Sequence, residues 1–94
     1  MREVSRNQVL RDLIALIQEQ INAPQYEVDP AHEFVKDMGF DDWNCVHFIG
    51  QLERKYGVVI KYEAEGGPRL VTLKDAWDFI VDTLAGQEET VIID

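Results

Sequence analysis

The stretch Phe34-Val-Lys-Asp-Met-Gly-Phe-Asp-Asp-Trp-Asn-Cys-Val-His-Phe-Ile-Gly-Gln-Leu-Glu-Arg-Lys-Tyr56 contains a turn, a helix start and an amphipathic helix in one uninterrupted run. Gly39 ends an irregular segment, and Asp41 or Asp42 can offer a carboxylate to the unpaired N–H groups at the start of the next helix. The pattern predicts a helix from about Trp43 to Tyr56. Its apolar residues recur at helical spacing and predict a wide buried face: Cys45, Val46, Phe48, Ile49, Leu52 and Tyr56.

A first helix is predicted upstream, from Ser5 or Asn7 to about Ile21, because apolar residues recur there at three- and four-residue steps. Pro24 ends it, since proline disfavours helix in the residue before it and has no backbone N–H. A long connection follows, over residues 24–40. Its apolar side chains, Phe34 among them, are predicted to face the core, because connections of this length are usually functional or packed by their own side chains.

The last third of the chain contains one clear helix and two segments that allow alternatives. Apolar alternation after Gly57, followed by Gly66-Gly67-Pro68, would suit a small β-hairpin within residues 58–71. Thr72-Leu-Lys-Asp75 predicts a capping box that opens a helix ending at Gly86. Residues 86–94 are acidic and then apolar, and we interpret them as a flexible tail, with an added strand as the alternative.

Composition indicates one globular domain spanning residues 1–94, with its core in residues 5–85. The net charge of −9, from 18 acidic and 9 basic residues, argues against nucleic acid as a partner and favours basic or neutral protein surfaces. No apolar run approaches the roughly 20 residues of a membrane span, and the N-terminal residues have no apolar signal segment. We therefore expect a cytoplasmic monomer without membrane contact; its single cysteine agrees with a reducing compartment.

Three motifs, in this order along the chain, resemble the acyl carrier protein family. Gly39-Phe40-Asp41-Asp42-Trp43 is similar to the family's Gly-x-Asp-Ser-Leu, and Leu52-Glu53-Arg54-Lys55-Tyr56-Gly57 is similar to its Leu-Glu-x-x-Phe-Gly. Thr72-Leu73-Lys74-Asp75-Ala76 then follows the family's Thr-Val-x-Asp-Ala. The resemblance covers residues 5–85 and implies an all-α bundle of three to four helices with a long first loop. In the family, a short helix occupies the place of residues 61–71.

One position departs from the family. Its serine, whose hydroxyl carries the 4′-phosphopantetheine arm, corresponds to Asp42, and Ser5 is the only serine in the chain. A carboxylate cannot hold that arm as a stable phosphodiester, so we expect no cofactor unless Asp42 replaces a native serine. The plainest role for Asp42 is helix N-cap, which aspartate performs about as well as serine. The alternative is a fixed negative charge that imitates the phosphate of the arm.

No catalytic or metal-binding pattern is present in the sequence. Cys45 and His47 are two residues apart and would point to different faces of a helix. The group Asp37, Asp41 and Asp42 has no dedicated loop pattern, and such carboxylates are more often solvated than metal-bound. We therefore expect no metal and no enzymatic activity.

The leading hypothesis is an acyl-carrier-like module that lacks the attachment serine and acts through protein–protein interaction. The alternative is a specialised carrier of fatty-acid, polyketide or other secondary-metabolite biosynthesis, whose serine has been substituted by Asp42. The partner would be an acyl-transfer or biosynthetic enzyme. Besides Asp42, its docking surface is predicted at Asp41, Trp43, Val46, His47 and Gly50. The resemblance implies that an acyl cavity would be lined by Phe34, Cys45, Phe48 and Leu52.

Overall fold

Three helices and two short strands form the computed structural model, which describes residues 1–62 and 65–94. The helices confirm the predicted all-α bundle, and the strands add a small parallel sheet to it. In chain order the elements are β1 (Arg2–Ser5), α1 (Arg6–Gln20), α2 (Asp42–Tyr56), α3 (Leu73–Ala85) and β2 (Thr90–Ile93). No helix among the described residues is long and apolar enough to cross a membrane.

Side-chain caps define where α1 and α3 begin. The Ser5 hydroxyl oxygen accepts a hydrogen bond from the backbone N–H of Gln8 at 3.0 Å. At α3 the predicted capping box is present, with Asp75 N–H donating to Thr72 Oγ1 at 3.1 Å and Thr72 N–H donating to Asp75 Oδ2 at 3.0 Å. Partial burial acts to raise the pKa of Asp75, but these hydrogen bonds and one from the Val71 N–H outweigh it and lower that pKa.

The core lies where the inner faces of the three helices meet. Its fully buried large side chains come from all three helices: Leu13, Ile17, Leu52, Leu73, Ile80 and Leu84. The long connection between α1 and α2 contributes Phe34, Met38 and Phe40, each at most 7% exposed, which confirms that this loop packs on the core. The prediction is wrong for Val35, another apolar side chain of the loop, which is 65% exposed. Phe34, Phe40 and Phe48 form an aromatic cluster with ring centroids 5.4–5.8 Å apart.

Segment 58–71 does not form the predicted hairpin in its described part. Neither strand nor helix occurs in residues 58–62 or 65–71, while residues 63–64 of the predicted hairpin lie outside the described residues. The chain is held instead by contacts to other elements: Ile60 N–H donates to Glu53 Oε2 at 2.9 Å, and Phe34 N–H donates to the carbonyl of Val71 at 3.0 Å. Those bonds take backbone groups that a hairpin would use within the segment.

The end of the chain forms a strand rather than a flexible tail. β2 runs parallel to β1, with Arg2 opposite Thr90 and Ser5 opposite Ile93. Asp94 then accepts hydrogen bonds from the Ser5 hydroxyl at 2.8 Å and from the Asn7 N–H at 3.1 Å. These two bonds lower the pKa of Asp94 and place its charge at the positive end of α1. The sequence did not predict β1, because its partner strand lies at the other end of the chain.

Candidate functional site

The start of α2 separates the roles of two adjacent aspartates. Asp41 is the N-cap: its Oδ1 accepts from the Asn44 N–H at 2.8 Å, and Asn44 Oδ1 accepts from the Asp41 N–H at 3.0 Å. The prediction of Asp42 as the cap is therefore wrong. Asp42 is the first residue of the helix and is exposed, and its carboxylate makes no hydrogen bond or ion pair with the described residues. Its charge lies at the positive end of the helix dipole, which is favourable.

The predicted partner residues on α2 form one stripe, in which Trp43, Val46 and His47 are exposed and Gly50 is half-buried. Trp43, Val46, His47 and Gly50 stand at steps of three and four residues, so they share a face of the helix. Trp43 is 65% exposed and Val46 is 61% exposed, so the prediction that Val46 belongs to the buried face of α2 is wrong. The Trp43 side chain therefore lies largely in solvent rather than in the core. Single exposed apolar residues are common, but a tryptophan and a valine adjacent on one face make an apolar patch. We call these four residues the α2 stripe.

The His47 ring holds the middle of the α2 stripe in one arrangement. It stacks on the Trp43 ring with centroids 4.8 Å apart and planes 7° apart. His47 Nδ1 lies 2.7 Å from Gln20 Oε1, a contact in which Nδ1 carries the proton and donates. A recess of about 220 Å³ lies beside this pair and is lined by Glu19 and Gln51 as well. Gln51 Oε1 is buried there and has no hydrogen-bond partner among the described residues.

Charge along α2 changes sign from one end to the other. Asp42 lies in the first turn, whereas Arg54 and Lys55 lie in the last turn. Gly50 leaves room for the Arg54 side chain, since a Cβ built at Gly50 would lie 3.4 Å from Arg54 Nη1. Gly57 then ends the helix in the left-handed conformation, with φ of 65°. A partner that covers the whole stripe would therefore meet an acidic end and a basic end.

The residues predicted to line an acyl cavity meet around very little empty space. Phe34, Cys45 and Phe48 line a cavity of about 10 Å³, near the smallest volume that can hold one water molecule. Leu52 does not line it and is fully buried in the core. Phe40, Ile49, Tyr62, Leu70 and Ala76 also line the cavity. The resemblance did not indicate them, because most come from segments distant in sequence.

A wider groove lies beside this small cavity. It measures about 350 Å³ and is lined by Phe34, Cys45 and the segment around Leu70. Cys45 is half-buried against this groove while His47 is exposed on the α2 stripe, which confirms that the two point to different faces. Across residues 1–62 and 65–94, no three His, Cys, Asp or Glu side chains come close enough to hold a metal ion.

Comparison with known proteins identifies the family. The profile of the family described as "Phosphopantetheine attachment site" matches residues 11–63. The acyl carrier protein of Helicobacter pylori strain G27 is 38% identical over 74 residues, which cover 79% of this chain and 92% of that protein. The chain belongs to the acyl carrier protein family. The acyl carrier protein of Karelsulcia muelleri is 24% identical over 74 residues, covering 79% of this chain and 87% of that protein.

Membership in this family implies a carrier rather than an enzyme, because acyl carrier proteins hold acyl groups for other proteins to act on. The residues of this chain do not fit covalent attachment of the family's 4′-phosphopantetheine. Residues 11–63, which match the family's profile, contain no serine or threonine, and the motif resemblance assigns the attachment position to Asp42, which has no hydroxyl. Ser5, the single serine, caps α1 and donates its hydroxyl proton to Asp94.

Proposed function

We propose that this chain is an acyl-carrier-family module without the phosphopantetheine hydroxyl, and that it acts by binding a protein partner through the α2 stripe. The observation that carries the proposal is the exposed Trp43 side chain, 65% accessible on a helix whose opposite face is buried. Tryptophan is the residue type most enriched among the anchors of protein interfaces. The partner would be an acyl-transfer or biosynthetic enzyme, met by this chain as a cytoplasmic monomer.

The contacts of Trp43 support its role as an anchor. Stacking on His47 and the bond from His47 to Gln20 hold the indole in place before any partner arrives. A side chain that is already ordered loses less conformational entropy on binding, by about 0.5–1.5 kcal/mol for each side chain that would otherwise be immobilised. The stack therefore favours association without adding a new contact.

Charge on α2 supports a partner surface that has both signs. Asp42 needs a cationic or neutral neighbour, while Arg54 and Lys55 need an anionic or neutral one. Because Asp41 supplies the cap, the carboxylate of Asp42 remains available to a partner. We propose that it serves as a fixed negative charge at the position where the family carries a phosphate.

A second candidate is a specialised carrier of acyl biosynthesis in which Asp42 replaces a native serine. The observation in its favour is that the helix cap uses Asp41 and Asn44, so the structure allows serine at position 42 without loss of the cap. The cavity of about 10 Å³ supports it less well, since an acyl chain would need the core to open. The rate at which a transferase attaches the phosphopantetheine arm to Asp42→Ser distinguishes the two candidates.

The test of the proposed function is quantitative capture with the immobilised full chain and two variants. Trp43→Ala should weaken capture of the acyl-transfer or biosynthetic enzyme that the unchanged chain binds, by about 2 kcal/mol, or about 30-fold in Kd. It should leave the thermal midpoint nearly unchanged. Val59→Ala is the matched control, because Val59 is 77% exposed and lies after α2. Equal capture by both variants would refute docking through the α2 stripe.

A further inference from the structure

The two-stranded sheet is separate from the part of the chain that matches the family. The family profile ends well short of both strands, at residues 11 and 63. The 74-residue match to the Helicobacter pylori strain G27 carrier spans 79% of this chain, so about a fifth of the chain lies outside it. A two-stranded sheet on its own is at best marginally stable, and this one packs its inner side chains, Val4 and Ile92, on the helical core.

The backbone geometry shows which groups of β2 face away from β1. The carbonyl of Glu89 accepts from the Arg2 N–H at 2.6 Å and therefore points toward β1. No peptide bond is cis, so the Thr90 N–H on the other side of that peptide points away. Alternation along an extended strand then turns the N–H and C=O groups of Thr90 and Ile92 toward the open edge. The sheet has two strands, so no third strand covers this edge in the described chain.

β2 is short, but it lacks the charged side chains and the proline that often protect an open edge. Its sequence Thr-Val-Ile-Ile contains no charge and no proline, and three of its four residues are β-branched aliphatics. Val91 and Ile93 are 39% and 41% exposed on the outer face of the sheet. β1, in contrast, contains Arg2 and Glu3. The edge of β2 is therefore the better template for an additional strand.

Charges on both sides of β2 select the kind of strand that can bind. Glu88 and Glu89 precede it and Asp94 follows it. In an antiparallel pairing of two copies through Thr90 and Ile92, Asp94 of one copy would lie opposite Glu88 of the other. Like charges directly opposite are destabilising, and each copy has a net charge of −9. A strand with basic residues at both ends would instead place opposite charges against the acidic residues on both sides of β2, which is favourable.

We propose that the open edge of β2 binds an extended segment of a partner protein as a third strand, and that this segment has a short alternating apolar run flanked by Lys or Arg. The main-chain groups of Thr90 and Ile92 supply the hydrogen bonds, and Val91 and Ile93 extend the apolar face. This surface is distinct from the α2 stripe, so a single partner could use both, or two partners could bind one each.

The experiment uses the full chain labelled with ¹⁵N and the synthetic peptide Lys-Lys-Val-Thr-Val-Lys-Lys. Two control peptides replace all four lysines by glutamate or the central threonine by proline. We expect saturable binding of the first peptide, with chemical-shift changes and slowed amide exchange at Thr90 and Ile92. The glutamate peptide should not bind, and the proline peptide, which has the same charge, should bind at least tenfold more weakly because proline cannot donate a backbone hydrogen bond.

Two pairs of variants test the edge directly. Ile92→Pro removes an N–H that faces the open edge and keeps the hydrogen bonds to β1. It should therefore weaken binding of the basic peptide at least tenfold, whereas Ile92→Val should leave the affinity within twofold. Glu88→Lys should weaken binding of the basic peptide several-fold. Glu27→Lys, the same charge change at an exposed loop position, should weaken that binding by less than twofold. Thermal midpoints show whether Ile92→Pro folds; if it does not, the three peptides on the unchanged chain decide.

Three results would overturn the proposal. Equal affinity of the proline and threonine peptides would mean that charge attraction alone explains the binding, without backbone hydrogen bonds to β2. Shift changes confined to the α2 stripe would place the peptide on the surface of the proposed function instead. Concentration-dependent dimerisation that protects the Ile92 amide would identify a second copy as the occupant. Failure of the peptide to bind at β2 would leave capture through Trp43 untouched, so the two proposals can fail independently.

Discussion

Asp41 and Asp42 are adjacent and chemically identical, yet only Asp41 contributes to the structure of α2. The difference arises from one peptide step: the residue before the helix is extended and can turn its carboxylate onto the Asn44 N–H, while the first helical residue points outward. Because the cap is complete without Asp42, a change at that position loses only the favourable interaction of its charge with the helix dipole. Position 42 is thus where the proposed loss of the family's serine can be tested without disturbing the helix cap.

The first prediction compares the two aspartates. Asp41→Ala should lower the free energy of unfolding by about 1 kcal/mol, the usual cost of a lost N-cap, since the Asn44 N–H loses its acceptor. Asp42→Ala should change it by less than about 0.5 kcal/mol, as for other exposed positions. Urea denaturation of both variants measures the difference. A larger loss for Asp42→Ala would mean that Asp42 acts as the cap after all.

The second prediction concerns attachment of the phosphopantetheine arm. Incubation with coenzyme A and a broad-specificity phosphopantetheinyl transferase should leave the mass of the unchanged chain as it was, because no hydroxyl stands at position 42. Asp42→Ser should fold with less than about 1 kcal/mol change in stability. We expect it to be modified slowly and partially, since a transferase must also recognise a helix surface that carries His47, Arg54 and Lys55.

Intact-mass spectrometry over time checks both parts of that prediction. An arm on the unchanged chain between residues 36 and 56 would contradict the proposed function. Fast and complete labelling of Asp42→Ser would favour the second candidate, a carrier whose serine alone has been replaced. A chain left unmodified after restoration of the hydroxyl would indicate that the surface of α2 serves another partner.

At the scale of elements, α3 begins at a capping box that depends on ionisation. The pKa of Asp75 is lowered in the folded chain by the N–H groups of Thr72 and Val71, against the opposing effect of burial. A lowered folded pKa means that the stabilisation is present above the unfolded value of about 3.9 and is lost as pH falls through the folded value. The hydrogen bonds that cap the start of α3 should therefore be lost in acid before the packing of its apolar face is lost.

The third prediction tests this linkage. The difference in unfolding free energy between the unchanged chain and Asp75→Ala should be about 1 kcal/mol at pH 7 and should shrink steadily below about pH 4. Urea denaturation of both proteins at intervals between pH 7 and pH 2.5 measures it. Val59→Ala is a suitable control, because Val59 is 77% exposed and has no titratable group. A difference independent of pH would contradict the role of the Asp75 charge.

At the scale of the whole molecule, the helices converge on side chains that the family resemblance associates with an acyl cavity. Leu52 is fully buried among α1, α2 and α3, and the cavity near Phe48 holds about 10 Å³. In a core packed this closely, each buried side chain contacts its neighbours on all sides, and these contacts stabilise the bundle. This close packing also means that the small cavity can take a ligand only if the core opens, whereas the neighbouring groove of about 350 Å³ beside Phe34 and Cys45 is already present.

The fourth prediction follows from that packing. Leu52→Ala should lower the free energy of unfolding by about 2–5 kcal/mol, through lost burial and the cavity left behind. Chemical denaturation followed by circular dichroism measures this loss, and the same helical spectrum should be seen before unfolding. Val59→Ala, at a position 77% exposed, should cost less than about 0.5 kcal/mol. A small loss at Leu52 would show that the core relaxes around the shortened side chain and would contradict the close packing described above.

The sequence by itself determined the positions of the three helices, the capping box at Thr72, the inward packing of the Phe34 loop and the family. These features depend on spacing over three or four residues or on short motifs, so local residues contain the information. Tertiary structure decided the rest: the β1–β2 pairing, the size of the cavity and the absence of a hairpin in the described parts of segment 58–71. Each of these depends on contacts between residues far apart in the chain, as when Ser5 meets Asp94 or Val71 pairs with Phe34.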